Sequence, residues 1–421
     1  MFKINDELLS EIRDRFRHVD HCPYQGPRVF FENAGGALTL KSVVERSAEL
    51  SAIPDNQGRD NPASDELVRL IDQAKDDIRS FLGAAKGPVF VGESGTELLF
   101  RLISAAVLEA PDGGDVVGST LEHPASVSAC ARWAKIANRN FVRVPHNSET
   151  GTVTVEDYRP YVSKDTRVAT ILHTSPVTGM AVDVAGIAAL IRGISPDCYI
   201  IVDGIQHAAH GGLDIDSYGI DGYAISPYKV FSRHGYGIAW VSERLGSVPH
   251  NNLIGAPADQ WDLGTRDTAS YATFSDVVNY FDWLGGHFTE STDRREKIVA
   301  AGKAIHQHEK VLTDAMLYGV SGQDGLAAMS EVTVIGGIDN PLREGLVSLA
   351  VEGKSAVEVV SALREQGIRV HARKNDLYSG GVLAPLKLED CVRVSMCHYN
   401  TEQEVSRFLT AMQSIVGNKA A

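Results

Sequence analysis

The chain has 421 residues, of which 43% are hydrophobic and 22% charged, and its formal net charge is −14. This composition is typical of a globular protein, and the excess of acidic residues argues against nucleic acid or an anionic membrane as a partner. No stretch approaches the roughly 18 apolar residues of a membrane span, and the charged N-terminus does not resemble a secretory signal, so we expect a cytoplasmic protein. The five cysteines form no CxxC pair, which predicts neither a metal site nor a disulfide framework.

The predicted elements alternate between strand and helix through much of the chain. An N-terminal amphipathic helix is followed by a strand and a glycine-rich turn at 29–38, then by a helix over 65–82. From about residue 85 to 245, short apolar strands alternate with helices, which predicts a mostly parallel sheet covered on both faces. The pattern changes near residue 289 to that of an α+β unit. We expect an N-terminal helical segment packed with the small domain (1–25), a large domain (26–288) and a small C-terminal domain (289–421).

The clearest chemical pattern lies between residues 199 and 241. One apolar strand ends on Asp203, and another delivers Ser226 and Lys229 into a loop rich in glycine and aromatic residues. Such a lysine and acid suit pyridoxal phosphate (PLP), because the amine can form a Schiff base and the carboxylate can hold the pyridine nitrogen protonated. Taken alone, the two residues fit a helix cap and a solvated loop lysine equally well.

Other polar residues should converge on the same edge of the sheet, because open α/β sheets bind ligands at the carboxyl ends of their strands. Gly95 and Thr96 open a predicted helix and can donate to a phosphate, although a plain helix cap would have the same sequence. His123 follows a strand and could stack on a planar ring, exchange a proton or serve a structural role.

Together these motifs resemble the class V aminotransferase superfamily of fold-type I PLP enzymes, in its cysteine-desulfurase-like branch. The resemblance covers most of the chain and implies an α/β fold, with a mostly parallel sheet between helices in the large domain and a smaller α+β C-terminal domain. It implies Lys229, His123 and Asp203 as catalytic residues. The implied PLP contacts are Gly95, Thr96, His123, Asp203, Gln206, Ser226, Tyr228, Lys229 and, from the neighbouring subunit, Thr265.

The resemblance also implies a homodimer with shared active sites and a set of contacts to an amino-acid substrate. Gly264 and Thr265 match the family's Gly-Thr that reaches the partner's phosphate, and Arg393 matches the arginine that binds the substrate α-carboxylate. Asn33 and Arg59, in two early loops, are further expected substrate contacts, the latter from across the dimer.

Three features depart from the family's pattern. Tyr228 stands in place of a histidine, although a phenol can still donate to phosphate. Pro176 stands where an asparagine would contact the phenolic oxygen of PLP. The loop that carries the nucleophilic cysteine of a desulfurase reads HARKNDLYSGGVLAPL and contains no cysteine. We interpret Cys391 and Cys397 as buried structural thiols, so persulfide chemistry is not expected.

This loop instead carries His371, Arg373 and Lys374. They could form an ordinary solvated face or a pocket for a second carboxylate, which arginine binds through two parallel hydrogen bonds. The C-terminal run also resembles the decarboxylative aldolase of the ustiloxin pathway, which removes the β-carboxylate of aspartate and adds the resulting nucleophile to an aldehyde.

These resemblances imply a PLP-dependent lyase that binds a small L-amino acid as an external aldimine and cleaves a bond at Cβ. Lys229 would act as general base and acid. The favoured hypothesis is β-decarboxylation of L-aspartate with capture of an aldehyde co-substrate. A C–S lyase or desulfurase-like activity and a transaminase or epimerase activity are the alternatives.

Overall fold

The computed structural model describes residues 2–417. Its strands are β1 (His21–Cys22), β2 (Gly26–Pro27), β3 (Val29–Phe30), β4 (Val89–Gly92), β5 (Asp115–Ser119), β6 (Asn140–Val144), β7 (Thr166–Leu172), β8 (Tyr199–Asp203), β9 (Gly222–Ile225), β10 (Gly237–Val241), β11 (Gly319–Val320), β12 (Gln323–Asp324), β13 (Val332–Val334), β14 (Leu346–Val351), β15 (Ile368–Arg369), β16 (His371–Lys374) and β17 (Asp390–Ser395). Its α-helices are α1 (Asp6–Asp14), α2 (Lys41–Ser51), α3 (Pro62–Leu82), α4 (Gly95–Glu109), α5 (Pro124–Ile136), α6 (Val155–Tyr158), α7 (Val184–Ile194), α8 (Ile215–Tyr218), α9 (Glu243–Gly246), α10 (Thr268–Gly285), α11 (Arg294–Tyr318), α12 (Ala356–Glu365), α13 (Gly380–Leu383) and α14 (Glu402–Gly417).

A seven-stranded sheet with the order β4-β10-β9-β8-β7-β5-β6 forms the centre of the molecule. Strands β9, β8, β7, β5 and β6 run parallel, whereas β10 is antiparallel to its neighbours β9 and β4. The sequence prediction of a mostly parallel sheet is therefore confirmed. The carboxyl ends of β7, β8 and β9 lie side by side, so the loops that follow them meet at one edge of the sheet.

Helices cover both faces of this sheet, which explains why strands β4, β8, β9 and β10 are buried along nearly their whole length. In β8, Ile201 joins a core cluster with residues of α4 and α5, while Ile200 and Val202 join a cluster with residues of α3, α7 and α10 on the other face. Burying a large aliphatic side chain contributes about 1.5–3 kcal/mol, so both faces hold the strand in place. No described helix combines the length and apolar content needed to cross a membrane.

A second, antiparallel sheet has the order β13-β14-β17-β16 and packs one face against α12 and α14 in a separate apolar cluster. The long helix α11 contributes Ile298 and Ile305 to the core of the large sheet and Leu312 and Met316 to this second cluster. Because one helix belongs to both cores, no break in packing marks residue 289. The expected domain boundaries therefore stay predictions.

The elements differ from the sequence predictions at three places. The sequence pattern predicts an amphipathic helix over about the first 20 residues, but α1 has only nine. It begins after Asn5, whose side chain caps it by accepting from the Leu8 amide at 2.8 Å. Its Leu8 and Ile12 join the core of the large sheet, while Arg13 donates to the Tyr399 carbonyl at 2.5 Å. Helices α2 and α10 were not predicted. Thr401 and Glu404 form a capping box at the start of α14, with hydrogen bonds of 2.9 and 3.1 Å.

Candidate active site

A cavity of about 60 Å³ lies at the carboxyl ends of the central parallel strands. Most of the residues expected to contact PLP line it, together with the apolar side chains of Leu172 and Ile205, which the sequence prediction missed. Thr96 enters from the start of α4 and His123 from the residue before α5. The full lining is Thr96, His123, Leu172, Pro176, Asp203, Ile205, Gln206, Ser226, Tyr228 and Lys229.

Lys229 closes a short 3₁₀ turn, Pro227–Lys229, directly after β9. Its Nζ donates to Gln206 Oε1 at 3.2 Å. Burial lowers the pKa of Lys229 to about 7, and the positive charges of Arg393 and Arg373 add to this effect, whereas Asp203 opposes it. Near neutral pH, a large fraction of this amine is therefore unprotonated and able to attack an aldehyde or accept a proton.

Asp203 is the last residue of β8 and is 2% exposed. Its Oδ1 accepts from the amide of Ile205 at 3.0 Å, which fixes the carboxylate at the strand end. Burial raises the pKa of Asp203 to about 6, against the smaller opposing effect of Lys229. A cation bound beside this carboxylate, such as a protonated pyridine nitrogen, would restore a lower pKa, so the position suits the role that the sequence predicts.

His123 is the N-cap of α5, where its Nδ1 accepts from the amide of Ala125 at 3.2 Å. Burial lowers the pKa of His123 to about 4, and Lys229 and Arg373 lower it further. The imidazole is therefore neutral at physiological pH and held in one orientation at the cavity wall. This geometry suits stacking on a planar ring.

The start of α4 lies tightly against Ser226. A Cβ placed on Gly95 would stand 2.5 Å from Ser226 Oγ and 2.5 Å from Ile205 Cδ1. On the other side, a Cβ on Gly237 of β10 would stand 2.6 Å from the Gly95 nitrogen. Only glycines permit this approach, and it brings a helix N-terminus and a serine hydroxyl together, as binding of a phosphate dianion requires. These donors fit the phosphate of PLP.

Tyr228, which replaces the family's histidine, remains a hydrogen-bond donor. Its ring stacks on His234 with centroids 4.3 Å apart, and burial raises the pKa of its phenol. The phenol therefore keeps its proton near neutral pH. Pro176 lines the cavity with its side chain and accepts from Arg393 Nη1 through its carbonyl at 3.1 Å, so this segment helps to position an arginine.

Arg393 lies in β17 and is 3% exposed, and its Nε has no hydrogen-bond partner among the described residues. Burial lowers the pKa of Arg393 to about 10, with a further contribution from Arg373. In the antiparallel register, Arg393 is opposite His371 and Cys391 is opposite Arg373. Paired residues point to the same face of a sheet, so all four side chains share the face turned away from the second apolar core.

The basic residues of this loop are not equivalent. Arg373 Nε donates to Ser379 Oγ at 2.7 Å, and the charge of Arg373 contributes to lowering the pKa values of Lys229 and His123. His371 Nδ1 lies 3.2 Å from Glu32 Oε1, so this imidazole already has an acidic partner. Lys374 alternates to the opposite face and is exposed. Of the two interpretations of this loop, the solvated face therefore fits Lys374, and a carboxylate pocket would not include it.

Besides Gly95, His371, Arg373 and Arg393, three further expected contacts are not among the residues that line the cavity. Arg59 and Thr265 are exposed in surface loops, and their action from a neighbouring subunit stays a prediction. Asn33 is buried, and its Nδ2 donates to the Ser395 carbonyl at 2.8 Å while its Oδ1 accepts from the Tyr399 hydroxyl. Because its amide is committed to these bonds, the geometry disagrees with a substrate contact for Asn33.

The two cysteines near the site have the properties of structural thiols. Cys391 and Cys397 are buried, and burial raises the pKa of Cys391 to about 11 and also raises that of Cys397 well above its ordinary value. The reactive form of cysteine is the thiolate, which these environments disfavour.

Glu122, which was not predicted from the sequence, is also buried. Its burial, followed by the charge of Asp203, raises its pKa to about 8. Its position directly before His123 was the available clue.

Comparison with known proteins shows the family of this chain. A family model described as aminotransferase class-V matches residues 29–408. The aminotransferase-like protein FGM3 of Gibberella zeae is 26% identical over 406 residues, covering 92% of this chain and 95% of the relative. The cysteine desulfurase-like protein ustD of Aspergillus flavus is 26% identical over 419 residues, covering 93% of this chain and 88% of the relative.

Solved structures show the same fold. The cysteine desulfurase from Thermococcus onnurineus NA1 superposes with a TM-score of 0.81 at 19% identity, over 97% of this chain and 98% of that one. At such low identity, the likeness concerns the fold alone. Because the family model spans far more than half of the chain, this protein belongs to the class V aminotransferase family, whose enzymes use PLP as their cofactor.

Proposed function

We propose that the protein is a lyase that binds a small L-amino acid and cleaves a bond at Cβ, and that its substrate is L-aspartate, which loses its β-carboxylate. PLP, when bound, supplies an electron sink for the bonds at Cα. The observation that supports the proposal is the pair Arg393 and Arg373, which share one face of the small sheet, with Arg393 hydrogen-bonded to the carbonyl of the cavity residue Pro176. Two guanidinium groups on one face suit a substrate with two carboxylates.

The two arginines differ in a way that suggests separate roles. Arg393 is buried, and its unpartnered Nε leaves a donor for the α-carboxylate. Arg373 is more accessible and uses Nε and Nη2 on Ser379 and the Tyr378 carbonyl, at 2.7 and 3.3 Å. Its Nη1 remains for a more distant carboxylate. Leu172, Ile205 and Pro176 exclude water from the reacting carbons.

Lys229 moves the proton in this proposal. With its pKa lowered to about 7, the amine can take the proton from Cα. The Cα–H bond breaks first, and the bond between Cβ and the carboxylate breaks next, releasing carbon dioxide. The electron pair left on Cβ either takes a proton or attacks an aldehyde carbonyl, whose oxygen then takes a proton. Lys229 returns the first proton to Cα, so the products are alanine and a γ-hydroxy amino acid, respectively.

Two other activities remain as alternatives. The name of ustD, a desulfurase-like relative, is compatible with removal of sulfur from a cysteine derivative, but the loop at residues 371–386 lacks a cysteine to receive it. The name of FGM3 is compatible with amino-group transfer. A β-elimination would release a thiol and pyruvate, whereas a transaminase would need a keto acid as second substrate.

The proposal predicts distinct products from L-aspartate. Protein saturated with PLP and given L-aspartate should release carbon dioxide and alanine in equal amounts. Addition of an aldehyde should convert part of the alanine into a γ-hydroxy amino acid, measured by mass spectrometry. L-Cysteine thioethers and a keto acid are the comparison substrates. Thiol and pyruvate from the thioether, with no carbon dioxide from aspartate, would replace the proposal with a C–S lyase. Amino transfer alone would indicate a transaminase.

We also propose a homodimer with shared active sites. Thr265 is exposed, and Leu253 and Ile254, at 64% and 107% exposure, lie in the same surface segment, which suits burial in an interface. Lys229→Ala and Thr265→Asp should each be nearly inactive, because one lacks the amine and the other places an anion beside the partner's phosphate. Refolding the two together should recover roughly a quarter of wild-type activity, since half of the dimers would be mixed and each would have one intact site.

Sedimentation should show the dimer in all of these proteins. Refolding each variant with itself is the control. A fully active wild-type monomer at the assay concentration, or no recovery in the mixture, would contradict shared sites.

A further inference from the structure

A row of buried polar groups extends from the cavity into the core behind Gln206. Gln206 Nε2 lies 3.1 Å from His210 Nε2, and His210 Nδ1 lies 2.8 Å from Glu309 Oε2. The side chains of His210 and Glu309 are 3% and 2% exposed. Together with the bond from Lys229 to Gln206 Oε1, this row joins the reactive amine to a carboxylate on α11.

In such a row, the protonation state of one group decides which atom of the next group donates and which accepts. With Glu309 ionised, His210 Nδ1 carries a proton and donates it to the carboxylate. If the imidazole is neutral, its Nε2 is an acceptor, so Gln206 must direct its NH₂ to His210 and its oxygen to the cavity. If the imidazole is protonated, Nε2–H is a donor, so Gln206 must turn its oxygen to His210 and its NH₂ to the cavity.

In the structure the amide has the first arrangement, because its Oε1 accepts from Lys229 Nζ and its Nε2 faces His210. A lysine amine committed to PLP no longer donates to Oε1, and the buried Glu309 carboxylate, 2.8 Å from His210 Nδ1, then favours the second arrangement. Although burial disfavours the charged imidazole, the adjoining Glu309 carboxylate raises the pKa of His210 to about 9, with a further contribution from Glu344. The other titratable groups around His210 on neighbouring elements are Lys229, Cys397 and His398.

A second histidine–glutamate pair lies nearby and makes no bond to Gln206. His207 Nδ1 is 2.7 Å from Glu344 Oε1 and 3.2 Å from Thr174 Oγ1, and its ring stacks on His173 with centroids 3.5 Å apart. The side chains of His207 and Glu344 are 11% and 4% exposed. This pair has the same chemistry and similar burial, so it serves as a matched comparison.

We propose that His210 and Glu309 are positioning residues that select which end of the Gln206 amide faces the cofactor. The protonated pair presents the NH₂ group, a donor to the phenolic oxygen of PLP. The pair acts through Gln206 and touches neither the substrate nor the cofactor. The inference concerns the cofactor alone and holds whichever bond the enzyme cleaves, so it can fail or survive independently of the aspartate proposal.

The test is the visible spectrum of the PLP-bound protein as a function of pH. A donor to the phenolic oxygen stabilises its negative charge, so loss of that donor makes the chromophore harder to deprotonate. In Glu309→Gln, the imidazole is no longer held protonated and the amide oxygen faces PLP. The pH midpoint of the spectral change should rise by about one unit, and PLP should dissociate roughly three to ten times faster. Glu344→Gln removes only the smaller contribution to His210 and no hydrogen bond to it, so it should shift both quantities much less than Glu309→Gln does.

Equal shifts in Glu309→Gln and Glu344→Gln, or no shift in either, would overturn the proposal, because they would show that Glu309 contributes only general burial or charge. If Glu309→Gln does not fold, neutron diffraction of the wild-type protein with PLP decides the question. Hydrogens on both ring nitrogens of His210 and the Gln206 NH₂ directed at the phenolic oxygen are expected. A neutral His210 or the opposite amide orientation would refute the assignment.

Discussion

Lys229→Ala should abolish covalent attachment of PLP and lower turnover by a factor on the order of a thousand or more. Lys229 is the only lysine that lines the described cavity, so no other amine can take its place at the strand end. Because the free amine attacks the aldehyde, the rate of attachment to wild-type protein should rise with pH through about 7 and level off well below the ordinary lysine pKa of 10.5.

The measurement is borohydride reduction followed by mass spectrometry of peptides. The wild-type protein should yield one stable adduct, on Lys229. Lys75→Ala is the control, since Lys75 pairs with Asp262 at 3.1 Å outside the cavity and its loss should leave the adduct unchanged. A reducible adduct on another lysine in Lys229→Ala would refute the assignment.

Arg373→Ala should lower kcat/KM for L-aspartate by about 30-fold to several thousand-fold. This range corresponds to the roughly 2–5 kcal/mol lost when the charge partner of a desolvated carboxylate is removed. PLP should remain bound, and L-alanine, which has no distal carboxylate, should still perturb the visible spectrum. Steady-state kinetics with aspartate and spectral titration with alanine measure the two effects.

Two controls separate charge recognition from loop structure. Lys374→Ala removes a positive charge from the next residue on the opposite face, and its kcat/KM should stay within about twofold of wild type. Ser379→Ala removes the 2.7 Å bond that ties the Arg373 guanidinium to the loop but keeps the guanidinium. Ser379→Ala should retain most of the preference for aspartate. If it loses as much activity as Arg373→Ala, then Arg373 orders the loop and does not bind substrate.

Local sequence patterns predicted the elements that position the site. Strands β8 and β9 are short apolar runs that end on polar residues, and parallel topology brings such ends together, so spacing alone places Asp203 and Lys229 at one edge of the sheet. Helix α10 was not predicted from the sequence because its buried residues, among them Ala269, Phe274 and Val278, lie on most sides of the helix. The helix therefore lacks the separate apolar and polar faces by which a surface helix is recognised.

Other features depend on contacts that sequence spacing cannot reveal. The orientation of Lys374 follows from strand register, and the register is set by the pairing of β16 with β17 rather than by residues near Lys374 in sequence. The bond between His210 and Glu309 joins residues 99 positions apart. From the sequence, Asn33 could bind a ligand or stabilise the fold. Only its hydrogen bonds to the C-terminal segment show that it stabilises the fold.

The cap that His123 makes on α5 has a thermodynamic consequence. The bond to the Ala125 amide restricts rotation of the imidazole when the helix forms, before any ligand is present. The conformational entropy of this ring is therefore lost during folding and is not lost again during binding. A histidine that stacked without such a cap would make the same contact with PLP. The conformational entropy that its ring lost on binding would then lower the affinity for PLP.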